Sequence, residues 1–220
     1  MSKLKRRSPR GILAASVLAG AMALLPTAPF AGNQKYEPLA ASVQASLSRS
    51  IADRAVNTRL FETPEARAWI DSMSPHLARR LPDREHRDEL LGAIYYESLR
   101  AGLEPDLVMG LIEVESAFRK YAVSSAGARG YMQVMPFWVE LIGTPEHNLF
   151  HMRTNLRFGT TILRHYLDIE RGDLFRALGR YNGSLGRAEY PNMVLAAWQR
   201  WAARNETRRQ QAGREVQPRG

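Results

Sequence analysis

Glu115 is an acid placed where an apolar residue is due. Along Pro105–Phe118, the residues Val108, Leu111, Ile112 and Phe118 recur at the spacing of one helix stripe. Glu115 falls in that stripe, one turn after Leu111 and Ile112. Burial disfavours the charged form of a carboxyl group, so its pKa is expected to rise toward neutrality. A carboxylic acid still protonated near neutral pH can act as a general acid. Glu113 lies about 200° around the same helix and is expected to face elsewhere. A buried glutamate has a second reading, an ion pair with Arg119 or Arg129, which spacing alone leaves open. The histidines show no pairing at metal-ligand spacing, and no metal or other cofactor is expected.

The elements that must position Glu115 read as a run of helices. One is predicted near 65–80, with Trp69, Ile70, Met73 and Leu77 on its apolar face. A second covers about 84–101, after Pro82-Asp83. Pro105 suits the first position of the Glu115 helix, which is read as running to Phe118. A loop rich in Ser, Ala and Gly spans 119–130. A short helix is predicted from Tyr131, punctuated by Pro136 and ending near Leu141. A longer one covers 153–171 with Leu156, Ile162, Leu163 and Tyr166 buried. Asp173 can cap another, to about Gly179. Tyr181 to Gly186 reads as a turn cluster, and the last helix starts near Pro191. No alternating strand pattern appears, so the fold class is mainly α.

Several segments in this order resemble the catalytic core of lytic transglycosylases with a soluble-lytic-transglycosylase (SLT) domain. They are Glu115-Ser116-Ala117-Phe118, Ala122-Val123-Ser124, and the run from Gly127 through Arg129, Gly130, Tyr131, Met132, Gln133 and Met135 to Pro136. Asn155 to Gly159 and Tyr181-Asn182-Gly183 match two later motifs. Tyr190 to Leu195 resembles the closing helix. The resemblance covers roughly 85–201.

It implies a lysozyme-like single catalytic domain that cleaves the β-1,4 bond between N-acetylmuramic acid and N-acetylglucosamine in peptidoglycan. The product would be a 1,6-anhydromuramyl end. Glu115 would protonate the leaving oxygen and then take a proton from the sugar's own 6-hydroxyl. Ser124, Met132, Gln133, Met135, Tyr181 and Asn182 match substrate-binding positions, with the Tyr181 hydroxyl expected on the Glu115 carboxyl. Two departures bear on the groove: Tyr131 replaces a common leucine, and Gly186 stands where a glutamate is frequent. Two other functions compete. One is a hydrolytic lysozyme-type muramidase with a second carboxylate, such as Glu189 or Asp168. The other is a non-catalytic peptidoglycan-binding module. Met132 and Met135 also read as core filler, and Tyr181 as a core tyrosine.

The 220-residue chain carries a net charge of +9, concentrated at its ends. Residues 1–31 hold five basic residues and no acid, and residues 204–220 hold five arginines against two glutamates. The body between is close to neutral, which argues against a nucleic-acid partner. The basic stretch from Lys3 to Arg10 precedes an apolar run from Gly11 to Leu25. Such a run reaches roughly 22 Å, short of the ~30 Å hydrocarbon core. Residues 1–31 therefore read as a signal peptide or an uncleaved N-terminal anchor, placing the rest in the periplasm. Residues 32–61 read as an N-terminal extension, either a docking helix or a linker. Residues 62–203 read as the catalytic domain, and 204–220 as a basic disordered tail. The protein is expected to be a monomer whose partner is the glycan strands of peptidoglycan, with its charged ends compatible with a membrane or cell-wall machinery. With no cysteine, the domain must rely on its core.

Overall fold

Side-chain oxygens set where several helices begin. Thr63 Oγ1 accepts from the Ala66 amide at 3.2 Å and starts the helix that follows it. In the same way Asp83 Oδ1 accepts from the amides of Glu85 and His86, and Asp173 Oδ1 from that of Arg176. Each contact satisfies an amide that the first turn leaves unpaired. The computed structural model describes residues 34–52 and 63–216. The expected leader over 1–31 lies outside them. In chain order the described elements are α1 (Ala41–Ala52), α2 (Pro64–Leu77), α3 (Arg84–Arg100), α4 (Pro105–Ser116), α5 (Phe137–Ile142), α6 (Met152–Ile169), α7 (Leu174–Asn182) and α8 (Glu189–Val216). Thr63 thus caps α2, Asp83 caps α3 and Asp173 caps α7.

The fold is mainly α and lysozyme-like, as the sequence predicts. Among the described residues the only β pairing is two isolated bridges, Val123 with Arg129 and Arg129 with Val134. No described helix is long and apolar enough to cross a membrane. The core centres on α4, where Val108, Met109, Leu111 and Ile112 are fully buried. Helix α8 lies against it and contributes Val194, Ala197 and Trp201. Helix α3 is tied to α6 through buried Glu97, which takes Arg100 at 2.7 Å and Arg157 at 2.9 Å. Arg100 also donates to Ser50 O and Thr161 Oγ1, so this one charge cluster joins α1, α3 and α6. Two guanidinium groups on one carboxylate compensate its desolvation.

Several boundaries differ from the sequence expectation. Helix α4 stops at Ser116 because Ala117 and Phe118 adopt φ of 51° and 64°. That left-handed turn folds Phe118 back into the core, edge-on to Trp201 at 5.8 Å. Tyr131–Val134 form a turn rather than a helix. Asn155 holds it open, taking the Met132 amide on Oδ1 and donating from Nδ2 to Arg129 O and Leu149 O. Tyr181 and Asn182 finish α7, so the turn starts only at Gly183, whose φ of 78° needs a residue without Cβ. Helix α8 starts at Glu189 and runs to Val216, so most of the expected disordered tail is helical. Its arginines, glutamines and Ala212 are good helix formers, and polarity alone did not reveal this. At the other end α1 docks against α5 and α6, with Leu47 and Ile51 buried and Gln44 Nε2 donating to Leu141 O at 2.7 Å.

Candidate active site

Burial and one hydrogen bond define the state of Glu115. It sits in the last turn of α4 and is 3% exposed. Its Oε1 accepts from the Tyr190 hydroxyl, and its Oε2 has no hydrogen-bond partner. Burial raises its pKa to about 8, against a smaller lowering by the Tyr190 hydrogen bond. The ion-pair alternative is not what forms. Arg119 donates to Ser116 O, and the Arg129 guanidinium lies over the Phe150 ring at 5.9 Å. The carboxyl is therefore a neutral acid at pH 7 with one oxygen uncommitted.

The hydroxyl on Glu115 is a correction to the expected partner. Tyr181 was expected there, but its hydroxyl donates to Met132 O at 2.8 Å instead. Tyr181 is still close enough for the charge of Glu115 to raise its own pKa, behind the larger effect of burial. Tyr190 takes the role because α8 packs on α4 and delivers its first turn to the end of the acid helix. The signal was present in the Tyr190-Pro191 start of the closing helix, but sequence spacing could not say which tyrosine reaches Glu115. Removing this bond should make the acid weaker still. In Tyr190→Phe the Glu115 carboxyl, followed by carbon-13 NMR, should titrate about one pH unit higher than in the parent. An unchanged titration would show that the hydroxyl does not set the acidity.

The other predicted positions divide into those that build the wall and those that keep surface. Met132 is fully buried, and its Sδ would lie 2.4 Å from a Cβ on Gly159. Its side chain is thus a core contact, which accounts for the lack of a side chain at Gly159. Gln133 is buried as well, with Nε2 donating to Ala122 O and Gly130 O. It braces the 122–134 loop rather than presenting an amide. Tyr181 and Asn182 are buried at the end of α7. Ser124 and Met135 keep partial exposure, although Ser124 Oγ also accepts from the Ala128 amide. Ser116 Oγ donates to Tyr131 O at 2.7 Å, so it fastens that loop to α4. Tyr131 itself is buried, its hydroxyl 3.2 Å from His86 Nε2.

The remaining carboxylates have other engagements. Glu113 accepts from Trp201 Nε1 at 2.7 Å and pairs with Arg80 at 3.4 Å, so it faces elsewhere than Glu115, as predicted. Asp168 pairs with Arg164 on the outer face of α6. Glu140 and Glu189 are exposed.

The comparisons with known proteins fall on this same region. The model of the transglycosylase SLT domain matches residues 93–192. A transglycosylase of Enterobacteria phage PRD1 is 33% identical over 114 residues, covering 49% of this chain and 41% of the phage protein. The membrane-bound lytic murein transglycosylase C of Salmonella typhi is 27% identical over 154 residues, covering 62% of this chain and 42% of that protein. Its namesake from Actinobacillus pleuropneumoniae serotype 5b (strain L20) is 62% identical over a short 37-residue stretch, 17% of this chain and 10% of the relative. The chain spans less than half the length of these relatives. The segment that holds Glu115, the loop that braces it and Tyr190 thus belongs to the transglycosylase SLT domain family.

Proposed function

We propose that this chain is a peptidoglycan lytic transglycosylase, exported to the periplasm, that cleaves the β-1,4 bond after N-acetylmuramic acid and leaves a 1,6-anhydromuramyl end. The observation that carries the reading is the neutral, buried Glu115 with one free oxygen. Such a group can give its proton to the glycosidic oxygen as the bond to C1 breaks. The resulting carboxylate can then take the proton of the sugar's 6-hydroxyl as that oxygen closes on C1. Proton count balances over the cycle, and Glu115 returns to its acid form. Tyr190 steadies the carboxylate between the two transfers, since its hydrogen bond favours the charged form. The intramolecular hydroxyl needs no second base to activate water. The pairing of Asp168, a candidate second carboxylate, with Arg164 on the outer face of α6 supports this single-acid route over a hydrolytic one.

The test is mass spectrometry of muropeptides released from purified sacculi. Anhydromuropeptides are the expected product. Reducing-end muropeptides would replace this reading with a hydrolase, and release of nothing would favour a binding module.

A further inference from the structure

Three of the buried side-chain polar atoms without a partner surround Tyr181 in sequence or in space: Glu115 Oε2, Ser184 Oγ and Gln34 Nε2. The last is the least expected, because Gln34 lies far outside the matched domain. It is 5% exposed, and its Oε1 accepts from Trp138 Nε1 at 2.9 Å. The same side chain reaches the Tyr181 hydroxyl closely enough to perturb it, but without a geometry that satisfies Nε2. The residues that follow hold on by light contacts. Tyr36 meets Phe137 edge-on at 5.7 Å, and Glu37 lies 3.6 Å from Arg180. Residues 34–37 therefore form a strap that touches α5 through Phe137 and Trp138, and α7 through Arg180 and Tyr181. Glu115 lies next to Tyr181 and is 3% exposed, so the Gln34 end of the strap reaches a neighbour of the acid.

The pocket around the Gln34 carboxamide suits a different amide better. The indole N–H satisfies the carbonyl oxygen, but nothing satisfies the second amide nitrogen. A buried donor without an acceptor is a standing cost. In the acetamido group of an N-acetylated sugar the carbonyl can take the same N–H. Its methyl then takes the place of Nε2 and needs no acceptor, and its nitrogen takes the place of Cγ.

We infer that residues 34–37 are a built-in competitor for the glycan, with the Gln34 carboxamide occupying a pocket for a sugar acetamido group. The inference rests on the proposed function for its choice of ligand. A strand whose acetamido group enters the pocket expels the strap from beside Tyr181. The Glu37–Arg180 pair, with the Glu37 side chain half exposed, adds a modest hold that expulsion can overcome.

Calorimetric titration of the full chain with an N-acetylglucosamine trimer, and with the glucosamine trimer that lacks the acetyl groups, tests this without turnover. Gln34→Ala should bind the acetylated trimer about tenfold more tightly than the parent. Its affinity for the de-acetylated trimer should not change. Glu37→Arg, which touches no pocket atom and repels Arg180, should gain a few-fold in the same direction. Unchanged or weaker binding of the acetylated trimer in both variants overturns the inference, and so does an equal gain for both sugars. Reducing-end products from sacculi would overturn the proposed reaction and leave this binding result standing.

Discussion

Glu115→Gln should lose about a thousandfold or more in turnover while gaining stability at neutral and alkaline pH. The first effect follows from removing the only proton that the reaction has at hand, a loss of the size general acid catalysis contributes. The second follows from linkage. The folded protein holds the Glu115 proton up to about pH 8, against 4.5 for a free glutamate. Because the folded pKa is raised, the stabilising contribution is complete below pH 4.5 and is lost as pH rises through 8. At pH 7 the loss relative to acid conditions is ~3 kcal/mol, since the unfolded chain ionises there and the folded one does not. Glutamine does not ionise, and its carbonyl can keep the Tyr190 hydroxyl. Thermal unfolding at pH 8 should therefore show the variant several degrees above the parent, about 3 °C per kcal/mol recovered. The gap should close toward pH 5. A variant that is inactive but less stable at every pH would mean that Glu115 is a packing residue, and that inactivity reports damage rather than lost chemistry.

Glu115 was legible in the sequence because a charge in a helix stripe is a local anomaly that periodicity exposes. The helices were legible for the same reason: α2, α3, α4 and α6 begin within one residue, and end within three, of where the pattern places them. What failed depended on contacts distant in sequence. Asn155, on α6, pins the Met132 amide from 23 residues away, and no local pattern distinguishes that turn from a short helix. Tyr190 reaches Glu115 across 75 residues. Tyr181 lies in a motif that carries the resemblance, so the sequence assigns it the contact that Tyr190 makes. Met132 and Gln133 read as groove residues because the resemblance matches them to substrate-binding positions, yet a motif match does not tell a wall from its lining. The arginine-rich end of α8 reads as disordered by composition, and composition does not see the helix that precedes it.

The Tyr190–Glu115 contact depends on how closely two backbones approach, and Gly110 sets that distance. A Cβ there would lie 2.6 Å from Trp198 N, 2.9 Å from Trp198 Cα and 3.1 Å from Ala197 C. All three are backbone atoms of α8, so no rotamer change relieves the overlap. Gly110→Ala must instead push α8 away from α4, the most extensive helix pairing in the domain. Helix propensity favours alanine by up to ~1 kcal/mol, but overpacking of this kind costs about 1–3 kcal/mol and more where backbone must move. The net loss should be about 2 kcal/mol, read as a lower midpoint in urea with an unchanged slope. Activity should fall further than stability explains, because separating the helices pulls the Tyr190 hydroxyl off Glu115 at a fixed, folded population. Gly102→Ala is the control. Its Cβ would meet nothing within 4 Å, and only its φ of 63° resists substitution. It should cost about 1 kcal/mol and leave the turnover of the folded protein unchanged. If Gly110→Ala behaved no worse than Gly102→Ala, the tight crossing would not be what brings Tyr190 to the acid.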